Sequence, residues 1–153
     1  MSRKYFYVDE GDVFMREARR VAETASFDND WPTGVVVVKN GKIIGRGANG
    51  SEYHVKFGCR RKELGIPTGE RYDLCEGCDP KNHGEPRAIE EAKKQHEDTE
   101  GADLFMWGHW WCCEPCWEEM EEVGIKKVYL LKDAQVVFNS KRKVVRHKYV
   151  SVG

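Results

Sequence analysis

The residues best suited to chemistry fall in two short stretches, 80-PKNHGEPRAIEEAKK-94 and 108-GHWWCCEPCWEEM-120. In the second, Cys113 and Cys116 form a C-x-x-C, with Cys113 at the start of an expected helix and Cys116 one turn in. At that spacing both sulfurs can reach one point. The free N–H groups and dipole of a helix N-terminus also favour thiolates. Two thiolates are good zinc ligands, but a structural zinc needs four ligands and a catalytic zinc three plus an open position. His83 supplies the third. It stands at the mouth of another helix, because Pro86 belongs in a first turn, where its missing N–H costs nothing. His83, Cys113 and Cys116 leave a fourth position for water, whose pKa zinc lowers from roughly 15.7 to about 7. Glu85, two residues from His83, can lie beside the metal without ligating it and carry a proton between water and substrate. Gly84 removes a side chain between the two, so backbone can approach a flat ring closely. Cys112 is a conceivable alternative ligand; spacing favours Cys113. The competing reading is a closed structural zinc with Glu85 merely solvated; it needs a fourth ligand, which Cys112 could in principle supply, although adjacent cysteines rarely both reach one tetrahedral ion.

Both stretches must be held by a scaffold. Asp12 is a candidate N-cap for a helix over about 12–25, with Val13, Phe14, Ala18, Val21, Ala22 and Ala25 at helical spacing. Residues 33–49 predict a hairpin, in which Val35 to Val38 form a buried strand and Asn40-Gly41 the two-residue turn. Residues 50–82 show no clear period, and a long loop of this kind is usually functional or held by something other than a core. Helical spacing resumes at Pro86, with Ala88, Ile89 and Ala92 on one face and a Glu90–Lys94 pair on the other. A strand follows at 103–108, and a helix from about Glu114 with Cys116, Trp117, Met120 and Val123 inward, which Gly124 stops. A strand at 126–131 comes next, and a further one could occupy Gln135 to Phe138. The alternation implies a sheet sandwiched by helices, with parallel pairing toward the C-terminus.

Composition narrows the function. The 153 residues suit a single domain, and 25 basic against 26 acidic residues give a net charge of −1. That is no signature of a polyanion binder, although the tail 141-KRKVVRHK-148 is basic. No apolar run is long enough to span a bilayer, and the N-terminus lacks a signal-peptide core. The expectation is a cytoplasmic protein, in which clustered cysteines favour metal over disulfides.

With these residues in view, the chain resembles the deoxycytidylate deaminase branch of the cytidine deaminase superfamily over roughly residues 12–131. The likeness rests on 34-GVVVVKNGKIIGRGANGS-51, 59-CRRKELGIPTGERYDLC-75, 83-HGE-85 and 113-CEPC-116. An H-x-E followed by C-x-x-C is the arrangement of zinc nucleobase deaminases. The resemblance implies a three-layer α/β/α fold with a mixed five-stranded sheet. It also implies zinc-dependent hydrolysis of a free cytosine nucleotide, foremost dCMP, to the uracil nucleotide and ammonia. His83, Cys113 and Cys116 would hold the zinc, and Glu85 would protonate N3 and then the leaving amine. Asn49 would hold a sugar hydroxyl; its plainer reading is a turn residue ending a strand. Relatives also suggest a homo-oligomer.

Three departures from the pattern stand out: Gly84 for the usual Ala, Cys112 for the usual Pro, and Arg87 for the usual Asn. Arg87 could bind a phosphate or form a surface ion pair. Arg46, Arg60, Arg61 and Arg71 are other phosphate candidates. Trp110 or Trp111 could stack on the pyrimidine, at about 1–3 kcal/mol per base, or simply pack in the core. Cys59, Cys75 and Cys78, with His54, could hold a second, structural zinc; free buried thiols are the alternative. His109 is another candidate ligand, and His96 and His147 read as surface residues. Two other functions compete: a single-strand polynucleotide cytidine deaminase, and a non-catalytic zinc-binding regulatory module of the same fold.

Overall fold

The computed structural model describes residues 3–28, 31–66, 74 and 79–139. The elements run β1 (Tyr5–Val8), α1 (Val13–Ala25), β2 (Gly34–Lys39), β3 (Lys42–Ala48), α2 (Glu52–Phe57) and α3 (Arg60–Glu63). After a 3₁₀ turn over Pro80–Asn82 come α4 (Gly84–Lys94), β4 (Asp103–Trp107), α5 (Glu114–Glu122), β5 (Lys127–Leu131) and a wide helical turn over Gln135–Asn139.

The hairpin forms where turn chemistry and hydrophobic run agree. Asn40 and Gly41 both take positive φ, 52° and 77°, as a tight two-residue hairpin turn demands. The strands they join pair antiparallel from Gly34↔Ala48 to Lys39↔Lys42, with a bulge between Val37 and Val38. β2 is buried on both faces, which is why it reads as an unbroken valine run rather than an alternation. β4 pairs antiparallel to β2, β5 parallel to β4 and β1 parallel to β5, giving the order β1-β5-β4-β2-β3. This is the mixed five-stranded sheet of the expected fold.

Helices cover both faces. On one side α1 lies so close to β2 that a Cβ on Gly34 would meet the Ala18 carbonyl oxygen at 2.0 Å. On the other, α4 presses on β3: a Cβ on Gly47 would sit 2.5 Å from the Gly84 carbonyl oxygen and 2.4 Å from the Ala88 nitrogen. That glycine brings the mouth of α4, and with it His83, down onto the sheet. Between the layers Met15, Ile89, Leu104, Met106, Met120 and Leu130 are fully buried. Each contributes about 1.5–3 kcal/mol by leaving water.

Asp12 caps α1 as expected, its carboxylate accepting from Phe14 N and Met15 N at 3.0 Å. The inward face differs from the expected one: Met15 is buried, while Val13, 66% exposed, and Ala25 face outward. Three larger corrections concern the chain outside the repeating core. The stretch after residue 50 is not structureless, since α2 and α3 fall within it. Residues 135–138 form a helical turn rather than a strand. β1, four residues with no period-2 signal, fills the sheet edge beside β5. A strand this short at an edge is recruited by the neighbour it pairs with, and leaves little local pattern. Among the described residues no helix is long and apolar enough to cross a membrane. The basic tail at 141–148, which includes His147, lies outside the described residues.

Candidate metal centre and active site

Two turns deliver the site. Asp79 accepts from Lys81 N at 2.9 Å and starts the 3₁₀ turn, and His83 N closes it on Pro80 O at 3.0 Å. His83 then sits extended (φ −78°, ψ 162°) as the N-cap of α4. Cys113 has nearly the same conformation (φ −72°, ψ 162°) as the N-cap of α5. Neither cap uses its side chain to bond its own helix, so imidazole and thiol are turned outward from the two helix mouths.

They meet there. His83 Nδ1 lies 3.5 Å from Cys113 Sγ and 3.4 Å from Cys116 Sγ. A tetrahedral zinc with ordinary bond lengths sets about 3.6 Å between such N and S atoms. The two sulfurs are 3.1 Å apart, closer than the about 3.8 Å that a zinc would set between them and far beyond a disulfide bond. Among the described residues these three form the one His/Cys/carboxylate group placed to hold a metal ion, and Cys112 is not part of it. One nitrogen and two soft sulfur donors fit zinc.

The electrostatics show how crowded the donors are. The Cys113 thiol, hydrogen-bonded by Cys116 and then by His83, is lowered to about 4. Cys116 moves the opposite way, because the Cys113 thiolate beside it holds its proton. Burial disfavours a charged His83, yet the Cys113 sulfur and Glu85 together raise its pKa. Arg61, a buried residue of α3, acts on His83 in the opposite sense.

Glu85 lies in the first turn of α4, 4% exposed, and burial raises its pKa. The Cys112 thiol lies against its carboxylate and is itself pushed well up by burial. Gly84 has a packing reason: a Cβ there would come 2.8 Å from Val35 Cγ2. The missing side chain faces β2, so an Ala at this position would require Val35 or the helix above it to shift.

Other expected residues are engaged locally. Asn49 Oδ1 accepts from Ser26 Oγ at 2.5 Å and Thr33 N at 2.8 Å, and its Nδ2 donates to Trp31 O at 2.9 Å. Arg87 is neither a surface ion pair nor turned to solvent: half-buried, it donates to Ala48 O at 2.9 Å and Asn82 Oδ1 at 3.1 Å, tying β3 to the turn before His83. Trp110 and Trp111 are half-buried against the core. His109 stacks on Trp110 at 4.6 Å, and its Nδ1 accepts from both tryptophan amides. Cys59 is the half-buried N-cap of α3. His54 falls within α2, and its side chain, like Cys75, Cys78 and Arg71, lies outside the described residues. His96 is exposed, just past the end of α4.

One contributor escaped sequence reasoning. Tyr5 of β1 accepts hydrogen bonds at its hydroxyl from Cys112 N at 2.8 Å and Trp117 Nε1 at 3.3 Å. Only the pairing of β1 with β5 puts it there, and no spacing signal links residue 5 to residue 112.

A mixed sheet between helix layers, with His83, Glu85 and the two cysteines at helix mouths, defines a zinc deaminase architecture. The chain belongs to the family described as the cytidine and deoxycytidylate deaminase zinc-binding region, whose model matches residues 9–132. Among solved structures it is similar to the apo dCMP deaminase of cyanophage S-TIM5, at 26% identity and a TM-score of 0.51, covering 84% of this chain and 88% of that one. It is also similar to a diaminohydroxyphosphoribosylaminopyrimidine deaminase/5-amino-6-(5-phosphoribosylamino)uracil reductase of Thermotoga maritima, at 28% identity and a TM-score of 0.47. That match covers 76% of this chain, which spans 28% of that longer protein. A guanine deaminase of Bacillus subtilis matches at 20% identity and a TM-score of 0.47, covering 78% of this chain and 62% of that one. A sequence search of curated proteins finds no match.

Proposed function

We propose that the protein hydrolyses the C4 amine of a free cytosine nucleotide, converting dCMP and water to dUMP and ammonia. The observation that carries this reading is the convergence of His83 Nδ1 with the sulfurs of Cys113 and Cys116 beside buried Glu85. Those three residues would hold a zinc, which supplies an acidified water and an electrophilic centre. Glu85 takes a proton from the attacking water and gives it to N3, then passes a second to the departing amine, so one water is consumed per ammonia released. Trp110 and Trp111 would form the wall against which the pyrimidine packs, and Asn49, through the remaining Nδ2 hydrogen, would contact the sugar.

The nucleotide phosphate is assigned to Arg61. Arg61 is buried in α3 and its charge acts on His83, while Arg71 lies outside the described residues. Likeness to a dCMP deaminase at 26% identity supports dCMP as substrate. A net charge of −1 favours a free nucleotide over a strand, whose binding depends on clustered cations. The working protein would be a cytoplasmic homo-oligomer.

The test is direct. Purified protein is incubated with cytosine, cytidine, deoxycytidine, CMP, dCMP, dCTP and a short single strand, and ammonia and uracil products are measured. Turnover of dCMP above the others supports the assignment; turnover of the strand alone, collapsing between low and moderate salt, refutes it.

A further inference from the structure

We propose that Tyr5 is a positioning residue for the metal centre, and that β1 belongs to the working site although it precedes the 9–132 stretch that matches the family. This rests on the zinc reading above. The argument starts from what holds Cys113 in place. Its side chain makes no cap bond to α5, so its position depends on the backbone at residue 112 and on the seating of the helix.

Tyr5 governs both. Its hydroxyl accepts the Cys112 amide at 2.8 Å, one residue before the first sulfur ligand. It also accepts the Trp117 indole N–H at 3.3 Å, one residue after the second. The Tyr5 ring lies 5.6 Å from the Trp117 ring, so the contact is packed as well as bonded. One oxygen thus ties down both flanks of the C-x-x-C turn. Fixing residue 112 also fixes the thiol that lies against Glu85. Arg3, just before β1, adds a second hold on α5 through Glu114 and Glu121. Without the hydroxyl, a buried amide and a buried indole lose their acceptor, and the turn can relax to other sulfur positions. Outer partners of metal ligands typically contribute 10–100-fold in metal affinity.

The experiment compares three full-length proteins: wild type, Tyr5→Phe and Tyr7→Phe. Tyr7 lies two residues along the same strand and is 58% exposed, so its variant is the same chemical deletion without the contact. Zinc affinity is measured by chelator competition on protein shown folded by circular dichroism, and cobalt-loaded samples report thiolate geometry through their visible bands. The expected result is a 10–100-fold loss of zinc affinity and altered cobalt bands in Tyr5→Phe, with Tyr7→Phe like wild type. A Tyr5→Phe protein that melts earlier yet keeps wild-type affinity and bands overturns the inference and leaves the zinc reading standing. Wild type that binds no zinc overturns both. Should Tyr5→Phe fail to fold, Trp117→Phe, shown folded by circular dichroism, removes the longer bond while keeping an aromatic ring against Tyr5. An affinity loss of at least threefold there supports the inference, and an unchanged affinity overturns it.

Discussion

The metal centre and the groove along the β3 edge are both rich in ionisable side chains, and they differ in how those groups are arranged. The groove, about 570 Å³, is lined in part by Arg20, Arg46, Arg87, Lys94, Glu90 and Glu91. Its charges answer one another. Glu17 accepts from Arg20 and Arg46, Lys94 pairs with Glu90 at 3.4 Å, Arg87 is spent on Ala48 O and Asn82, and Glu91 accepts the Arg46 amide at 3.2 Å. At the metal centre one nitrogen and two sulfur donors converge, and their mutual hydrogen bonds force pKa values apart. A cluster whose ionisable groups are engaged with one another or with the backbone is scaffold. A cluster of converging lone pairs is suited to a cation.

The largest test of that contrast is His83→Ala. The expected outcome is loss of bound zinc and at least a thousandfold fall in turnover; full metal occupancy by elemental analysis would contradict the ligand assignment. Next is Glu85→Ala, which should keep zinc and lose about 10²–10⁴-fold in kcat, the range of a general acid–base group. Unchanged turnover with zinc present removes Glu85 as the proton carrier. Arg61→Ala should raise KM for dCMP about tenfold, roughly 1.4 kcal/mol, and leave deoxycytidine unaffected. Arg46→Ala, in the groove, should leave both unchanged, and an equal KM effect from the two arginines would erase the distinction between the regions.

Two smaller effects probe packing and charge in the scaffold. Gly84→Ala should destabilise by about 1–3 kcal/mol, because the new methyl meets Val35 Cγ2 at 2.8 Å. Adding Val35→Ala should recover part of that loss in chemical denaturation; no recovery would mean the glycine serves something other than this contact. Glu17 is lowered to about 2 by its hydrogen bonds to Arg20 and Arg46, below the about 4.3 of an unfolded glutamate. Its contribution is therefore complete above about pH 5 and fades as pH falls toward 2. The expected size is about 1 kcal/mol at this solvent-screened pair. Glu17→Gln should flatten that part of the stability profile, and an unaltered acid limb would show the triad to be energetically silent.

Much of this was readable in one dimension. The spacing of Cys113 and Cys116, the H-x-E and the placement of Pro86 identify the donors and the helices that carry them. A valine run with Asn-Gly after it is enough to define the hairpin, since turn geometry and burial are local or periodic properties. The misreadings have a common origin. Residues 52–63 form helices too short for a period to register, and Gln135–Phe138 carries strand-like residues that a helical turn absorbs. Arg87's acceptors, Ala48 O and Asn82 Oδ1, are set by the packing of α4 on β3, so no short stretch announces them.

The order of residues by itself determined which atoms could bind a metal and which backbone turns would present them, because capping, turn type and i,i+3 spacing act within a few residues. Only the tertiary structure decided that His83 Nδ1 comes within 3.5 Å of sulfurs some thirty positions away, that Val35 leaves no room for a methyl at residue 84, and that Tyr5 holds the cysteine turn. Those contacts depend on which strands lie side by side, and that follows from burying the whole sheet at once rather than from any short stretch of sequence.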